Sequence, residues 1–97
     1  MTELKVGVIG CGRHSESHFE EIKKDQRLHL SAIAEVDPER LEESASTHKP
    51  DSSFSDYQDM LQKTELDLVY LVEWFHLYLY LMKFIQAGQK PDTFFIL

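Results

Sequence analysis

The sequence predicts an α/β domain, a doubly wound open parallel sheet of about five strands forming a single domain over residues 1–97. Three observations carry this. Short apolar-rich runs recur at 4–9, 28–36 and 66–72, and the first, rich in Val and Ile and stopped by Gly10, looks like a strand buried on both faces. The segments between them place apolar residues at helical spacing, so strands alternate with helices, the layout of parallel sheets joined by crossovers. The first run stops at Gly10-Cys11-Gly12 and a helical pattern follows at once.

Taken in order, 4–9 is the first strand and Gly10 ends it. From Arg13 to about Asp25 a helix is expected, with His14, Phe19, Ile22 and Lys23 on one side and Glu16, Glu20, Glu21 and Lys24 on the other. Leu28, Leu30, Ala32, Ile33, Ala34 and Val36 mark the second strand. Asp37 then caps a second helix over 39–48, with Pro38 in its first turn and Leu41 and Ala45 facing inward. The stretch 51–56 is turn-rich and allows a brief third strand around Phe54, after which Ser55 or Asp56 starts a short helix carrying Tyr57, Met60 and Leu61. A strand over 66–72 follows, then a helix over 76–87 stopped by Gly88, and a last strand over 93–97.

The net charge of −7 and the absence of a basic run argue against a nucleic-acid partner. A single cysteine cannot form an internal disulfide, and the N-terminus has no secretory signal pattern, so the expected compartment is the cytoplasm. The stretch 68–85 is long enough to cross a bilayer, but Glu73, His76 and Lys83 interrupt it. Each charge near a helix centre costs about 2.5–3.5 kcal/mol on insertion, so a buried strand followed by a helix is the better account, and no membrane span is expected.

In a doubly wound sheet the first strand-to-helix turn lies at the carboxyl ends of the strands, where ligands bind at the reversal of strand order. Gly10 suits the tight turn there. Gly12 would let the backbone approach a pyrophosphate, and the following helix offers free N–H groups and the positive end of its dipole. Ser15 stands where a third glycine is usual. Glu35 closes the second strand 23 residues after Gly12, near the ~20 expected of an acidic group that binds a ribose hydroxyl. A carboxylate there repels a 2′-phosphate, which favours NAD over NADP; Asp37 competes for the same role, and Arg40 leaves NADP open. A glycine turn with a solvated Glu35 is the bland alternative.

These segments resemble the N-terminal domain of the glucose-fructose oxidoreductase, inositol dehydrogenase and rhizopine-catabolism (Gfo/Idh/MocA) family. The resemblance runs through Val6–His18 "VGVIGCGRHSESH", Ala34–Ala45 "AEVDPERLEESA", Phe54–Leu61 "FSDYQDML" and "LDLVYLV" ahead of a helix ending in Ala87-Gly88. It implies a Rossmann domain binding NAD or NADP, with Gly10, Cys11, Gly12, Arg13 and His14 at the pyrophosphate and Glu35 or Asp37 at the adenosine ribose. His76 lines up, with a one-residue shift, with a histidine that contacts the cofactor in the family. Family members continue into a larger substrate domain, which this chain is expected to lack. Their Glu-Lys-Pro motif follows a further strand, whereas Gln89-Lys90-Pro91 follows Gly88 at once and reads as a loop. Without a placed lysine and a substrate wall, catalysis by the isolated chain is not expected.

Three other features carry alternatives. His14 and His18 share a helix face but supply only two ligands, so no metal site is expected. Cys11 is either a small turn filler or, at a helix N-terminus, a thiol of lowered pKa. The aromatic segment from Trp74 to Ile85 packs core or, in a rival reading, gives a non-catalytic interaction protein a surface for another chain or for a second copy of itself.

Overall fold

The computed structural model describes residues 3–12, 15–72 and 94–96, the last three by backbone alone. The order of elements is β1 (Leu4–Ile9), α1 (Glu16–Lys24), β2 (Leu28–Ala34), α2 (Pro38–His48), β3 (Ser52–Phe54), α3 (Tyr57–Lys63), β4 (Leu68–Leu71) and β5 (Phe94–Ile96). Every strand pair is parallel, and the sheet order is β3-β2-β1-β4-β5. Parallel neighbours cannot be joined by a tight turn, so each connection among the first four strands carries a helix. The chain winds outward from β1 to β3 and then returns across β1 to β4, which places the reversal of strand order at the β1–β4 boundary.

Both faces of the sheet are covered, which is why β4 reads as an unbroken apolar run and β1 and β2 turn apolar on both faces towards their carboxyl ends. On one face Val6, Val8, Ile33, Leu68 and Tyr70 pack with Phe19 and Ile22 of α1 and with Leu41 and Ala45 of α2. On the other, Ile9, Ala32, Ala34, Val69 and Leu71 pack with Met60 and Leu61 of α3 and with Leu66. Asp37 caps α2 by accepting from Glu39 and Arg40 N–H groups, with Pro38 at the first helical positions as expected.

The differences from the sequence reading have local causes. β2 ends at Ala34, and Val36 is 81% exposed. A bulge explains why simple alternation misleads here: Val6 pairs with Leu30 but Gly7 pairs with Ala32, so Ser31 is skipped and the parity of β2 flips. Leu28, Leu30 and Ile33 thereby share the α1–α2 face while Ala32 and Ala34 turn to α3. On α1 the buried residues are Phe19 and Ile22, and Lys23 is exposed instead of facing inward. β4 is shorter than 66–72, although Leu66 and Val72 remain buried beside it. Within 68–85 the described residues are 68–72, of which Leu68–Leu71 form a strand, and among the described residues no helix is long and apolar enough to cross a membrane. The helix expected over 76–87 lies outside the described residues.

Gly7, in the middle of β1, is needed for close approach. A Cβ there would stand 2.7 Å from Leu66 Cδ1 and 3.2 Å from Met60 Cε, both buried. Gly7→Ala should lower unfolding stability by about 1–3 kcal/mol in urea titration, the usual cost of overpacking. Combining it with Leu66→Val should cost less than the sum of the two single changes, because the shorter side chain vacates the contested space.

Candidate functional site

The turn after β1 is built from backbone groups. Gly10 adopts φ 97°, a conformation open to glycine and costly for other residues. Its N–H continues the ladder to Ala34 O at 2.9 Å, and the chain then leaves the sheet. The next donor, Cys11 N–H, meets Glu35 Oε1 at 2.8 Å, while Glu35 Oε2 accepts from Asp37 N–H, also at 2.8 Å. Glu35 is itself anchored, its N–H donating to Phe54 O at 3.0 Å. One carboxylate thus ties the end of β1 to the start of α2, with lone pairs left on both oxygens.

Ser15 closes the turn on its other side. It is fully buried, and both its N–H and its hydroxyl donate back to Gly12 O. Because that hydroxyl points backward, α1 has no side-chain cap, whereas Asp37 and Asp56 cap α2 and α3. The first N–H groups of α1 therefore keep the positive dipole end that suits an anion. Glu16, in that first turn, sends its carboxylate sideways to His48 Nε2 at 3.0 Å, and His48 stacks on Phe19 with ring centroids 4.0 Å apart.

The thiol of Cys11 points into the core, 5% exposed and 3.9 Å from Ala34 O, with Ser44 of α2 as a hydrogen-bond partner. Burial, aided by the Glu35 carboxylate, pushes it up to about 12. The helix N-terminus does not produce a reactive thiolate here; desolvation outweighs it, and the small turn filler is the reading that holds. Ser44 went unnoticed in the sequence, although Leu41, Ser44, Ala45 and His48 share a helical spacing that would have placed it inward.

Residues 4–90 match the family model described as an oxidoreductase family with an NAD-binding Rossmann fold, Gfo/Idh/MocA. The chain belongs to the Gfo/Idh/MocA family. Scyllo-inositol dehydrogenase from Lactobacillus casei, in its apo crystal structure, superposes with a TM-score of 0.84 at 26% identity over 98% of this chain and 28% of its own. The same enzyme with bound NAD(H) and scyllo-inositol gives 0.79 at 28% identity over the same shares. Among curated relatives, the uncharacterized oxidoreductase YrbE of Bacillus subtilis is 26% identical over 71% of this chain and 20% of its own length. Inositol 2-dehydrogenase of Burkholderia multivorans is 23% identical over 73% of this chain and 22% of its own. The chain spans about a fifth of the length of these curated relatives. It is a Gfo/Idh/MocA NAD-binding Rossmann domain.

Of the residues singled out in this Gfo/Idh/MocA domain, the fold brings Gly10, Cys11, Gly12, Glu35 and Asp37 together at the carboxyl ends of β1 and β2. Arg13, His14 and His76 lie outside the described residues, as do Lys90 and the aromatic segment from Trp74 to Ile85. Asp37 is engaged as a helix cap, accepting from Glu39 N–H at 3.0 Å and Arg40 N–H at 3.5 Å, with Arg40 Nε 3.8 Å away. His18 is half-buried on α1, its ring meeting Tyr70 edge-on at 5.8 Å. Among the described residues no group of three or more His, Cys, Asp or Glu could hold a metal ion.

The raised thiol gives a pH dependence of definite sign. Folding favours protonated Cys11, so this contribution is fully present below the ordinary thiol value of 9.0 and is lost as pH climbs towards about 12. Stability should fall across that window less steeply in Cys11→Ala than in the parent, measured by urea unfolding at stepped pH. At pH 8 the native thiol should react with a disulfide reagent roughly a thousandfold more slowly than in the unfolded chain.

Proposed function

We propose that this domain holds NAD across the carboxyl ends of β1 and β2, and that its contribution is cofactor binding and not turnover by itself. The observation that carries this is the Glu35 bracket: a carboxylate held at 2.8 Å by Cys11 N–H and at 2.8 Å by Asp37 N–H, at the edge of a turn that opens an uncapped helix. Such a carboxylate is an acceptor only, and its remaining lone pairs suit the hydroxyl donors of an adenosine ribose. The diphosphate would lie against the turn at Gly10, Cys11, Gly12, Arg13 and His14, where backbone N–H groups and the dipole of α1 favour negative charge. His76 is assigned to the same cofactor by its place in the family pattern.

The charge pattern supports NAD over NADP. A 2′-phosphate would meet the Glu35 carboxylate, and the neighbouring cation, Arg40, lies beside Asp37 at 3.8 Å. Asp37 is engaged as the cap of α2, which favours Glu35 as the ribose residue.

NAD supplies a hydride acceptor and NADH a hydride donor at the nicotinamide. Transfer further requires a substrate held against that ring and an acid–base partner. Neither is found among the described residues, and cofactor binding is the role we assign to this domain.

Isothermal titration with NAD+ and NADH tests the assignment; absence of heat at millimolar cofactor would reject it. Glu35→Gln should weaken NAD+ binding about 10–100-fold, since an amide both loses acceptors and sets a donor against a backbone N–H. Asp37→Ala should instead lower stability by about 1 kcal/mol with cofactor affinity nearly unchanged, the signature of a lost cap. The reverse pattern would assign the ribose to Asp37.

A further inference from the structure

The helix-covered face of β2 is not uniformly covered. Ser31–Ala34 are buried, but Leu28 and Leu30, which pack against the same core as Ile33, are only half-buried. The space that leaves them bare is a pocket of about 230 Å3 whose apolar side is Leu28 and Leu30, with Phe19 and Ile22 buried beneath, and whose other side is polar, formed by His29, Thr47 and His48. It lies where β2 begins, at the opposite end of the strands from the Gly10–Gly12 turn.

Two lysines stand on its rim, Lys23 from the end of α1 and Lys49 from the end of α2. Among the described residues neither has an ion-pair partner, while the pocket's histidines are satisfied. His29 Nε2 meets Asp51 Oδ2 at 2.7 Å, and His48 Nε2 meets Glu16 Oε2 at 3.0 Å. The nearby carboxylate of Asp25 is likewise taken, by Arg27 at 2.8 Å. In a chain of net charge −7 this leaves two uncommitted ammonium groups beside a pocket of mixed apolar and polar lining.

Lys49 adds an independent sign. It is the C-cap of α2 at φ 51° and ψ 57°, left-handed backbone that glycine adopts freely and a lysine does not. The helix carbonyls that would repel an anion here are partly occupied: Lys49 N–H bonds Ala45 O, and Asp25 N–H bonds Glu21 O and Ile22 O.

We propose that this pocket binds a small organic carboxylate with an apolar body, the body on Leu28 and Leu30 and the carboxylate between Lys23 and Lys49. A cavity of about 150 Å3 accommodates benzene, so this one suits a ring with a short acid chain, about eleven non-hydrogen atoms. The site is separate from the dinucleotide turn and does not depend on the function proposed above.

The test is a nuclear magnetic resonance titration of the 15N-labelled 97-residue chain with 3-phenylpropionate, with 3-phenyl-1-propanol and propionate as controls. Saturable shifts at Phe19, Leu28 and Lys49 with Kd about 1 mM or tighter are expected for the acid, and at least tenfold weaker binding for either control. Lys23→Gln combined with Lys49→Gly should weaken the acid at least tenfold and leave the alcohol unchanged. Lys49→Gly should unfold at a temperature no lower than the parent, which separates lost binding from lost folding. The proposal is overturned if the acid produces no shifts at about 20 mM. It is equally overturned if acid and alcohol bind alike, if propionate binds as well as the aryl acid, or if the shifts gather at Gly10–Glu35.

Discussion

A single carboxylate sets the geometry on which the candidate site depends. Glu35 draws two backbone N–H groups to 2.8 Å from opposite sides, one from the turn after β1 and one from the start of α2. Charge-assisted bonds of this kind are about twice as strong as neutral ones. Here they join two segments distant in sequence but adjacent at one end of the sheet. The bracket fixes where the turn leaves β1, and it lets Asp37 sit as the cap of α2 with its own side chain turned to Glu39 and Arg40.

The sheet beneath is what makes that bracket rigid. β1 lies between β2 and β4 with both faces covered, so its end cannot shift without disturbing two cores. The packing is close enough that Gly7 leaves no room for a methyl group against Leu66 and Met60. The Ser31 bulge lets β2 supply Leu30 and Ile33 to one core and Ala32 and Ala34 to the other. Small alanines face α3, and large aliphatic residues face α1 and α2.

Charge follows the same division. At the carboxyl ends of the strands, the first turn of α1 is left without a side-chain cap and Glu16 is diverted to His48, so the donors that face the Gly10–Gly12 turn are not opposed by their own helix. At the amino end of β2, Lys23 and Lys49 flank a pocket of mixed lining while neighbouring carboxylates are already paired. The two ends of the domain therefore offer different chemistry from one acidic chain.

Much of this was legible from residue order alone. Apolar runs, a glycine turn, an Asp-Pro helix start and an acidic residue 23 positions beyond Gly12 carry local signals, and they specify the parallel α/β layout, the family and the residues gathered at the turn. Tertiary structure decided what has no local signal. Val36 continues the apolar pattern of β2 but stands exposed, because the strand ends where its pairing with β3 ends, at Ala34 and Phe54. Glu35 and Asp37 are alike in sequence and separated only by their partners, Cys11 N–H for one and the first turn of α2 for the other. Cys11 precedes a helix in sequence, a place where an exposed thiol could be acidified, yet burial beneath α2 raises it. Periodicity records which residues prefer to be inside, whereas hydrogen-bond partners, parity shifts and desolvation arise only when distant segments meet.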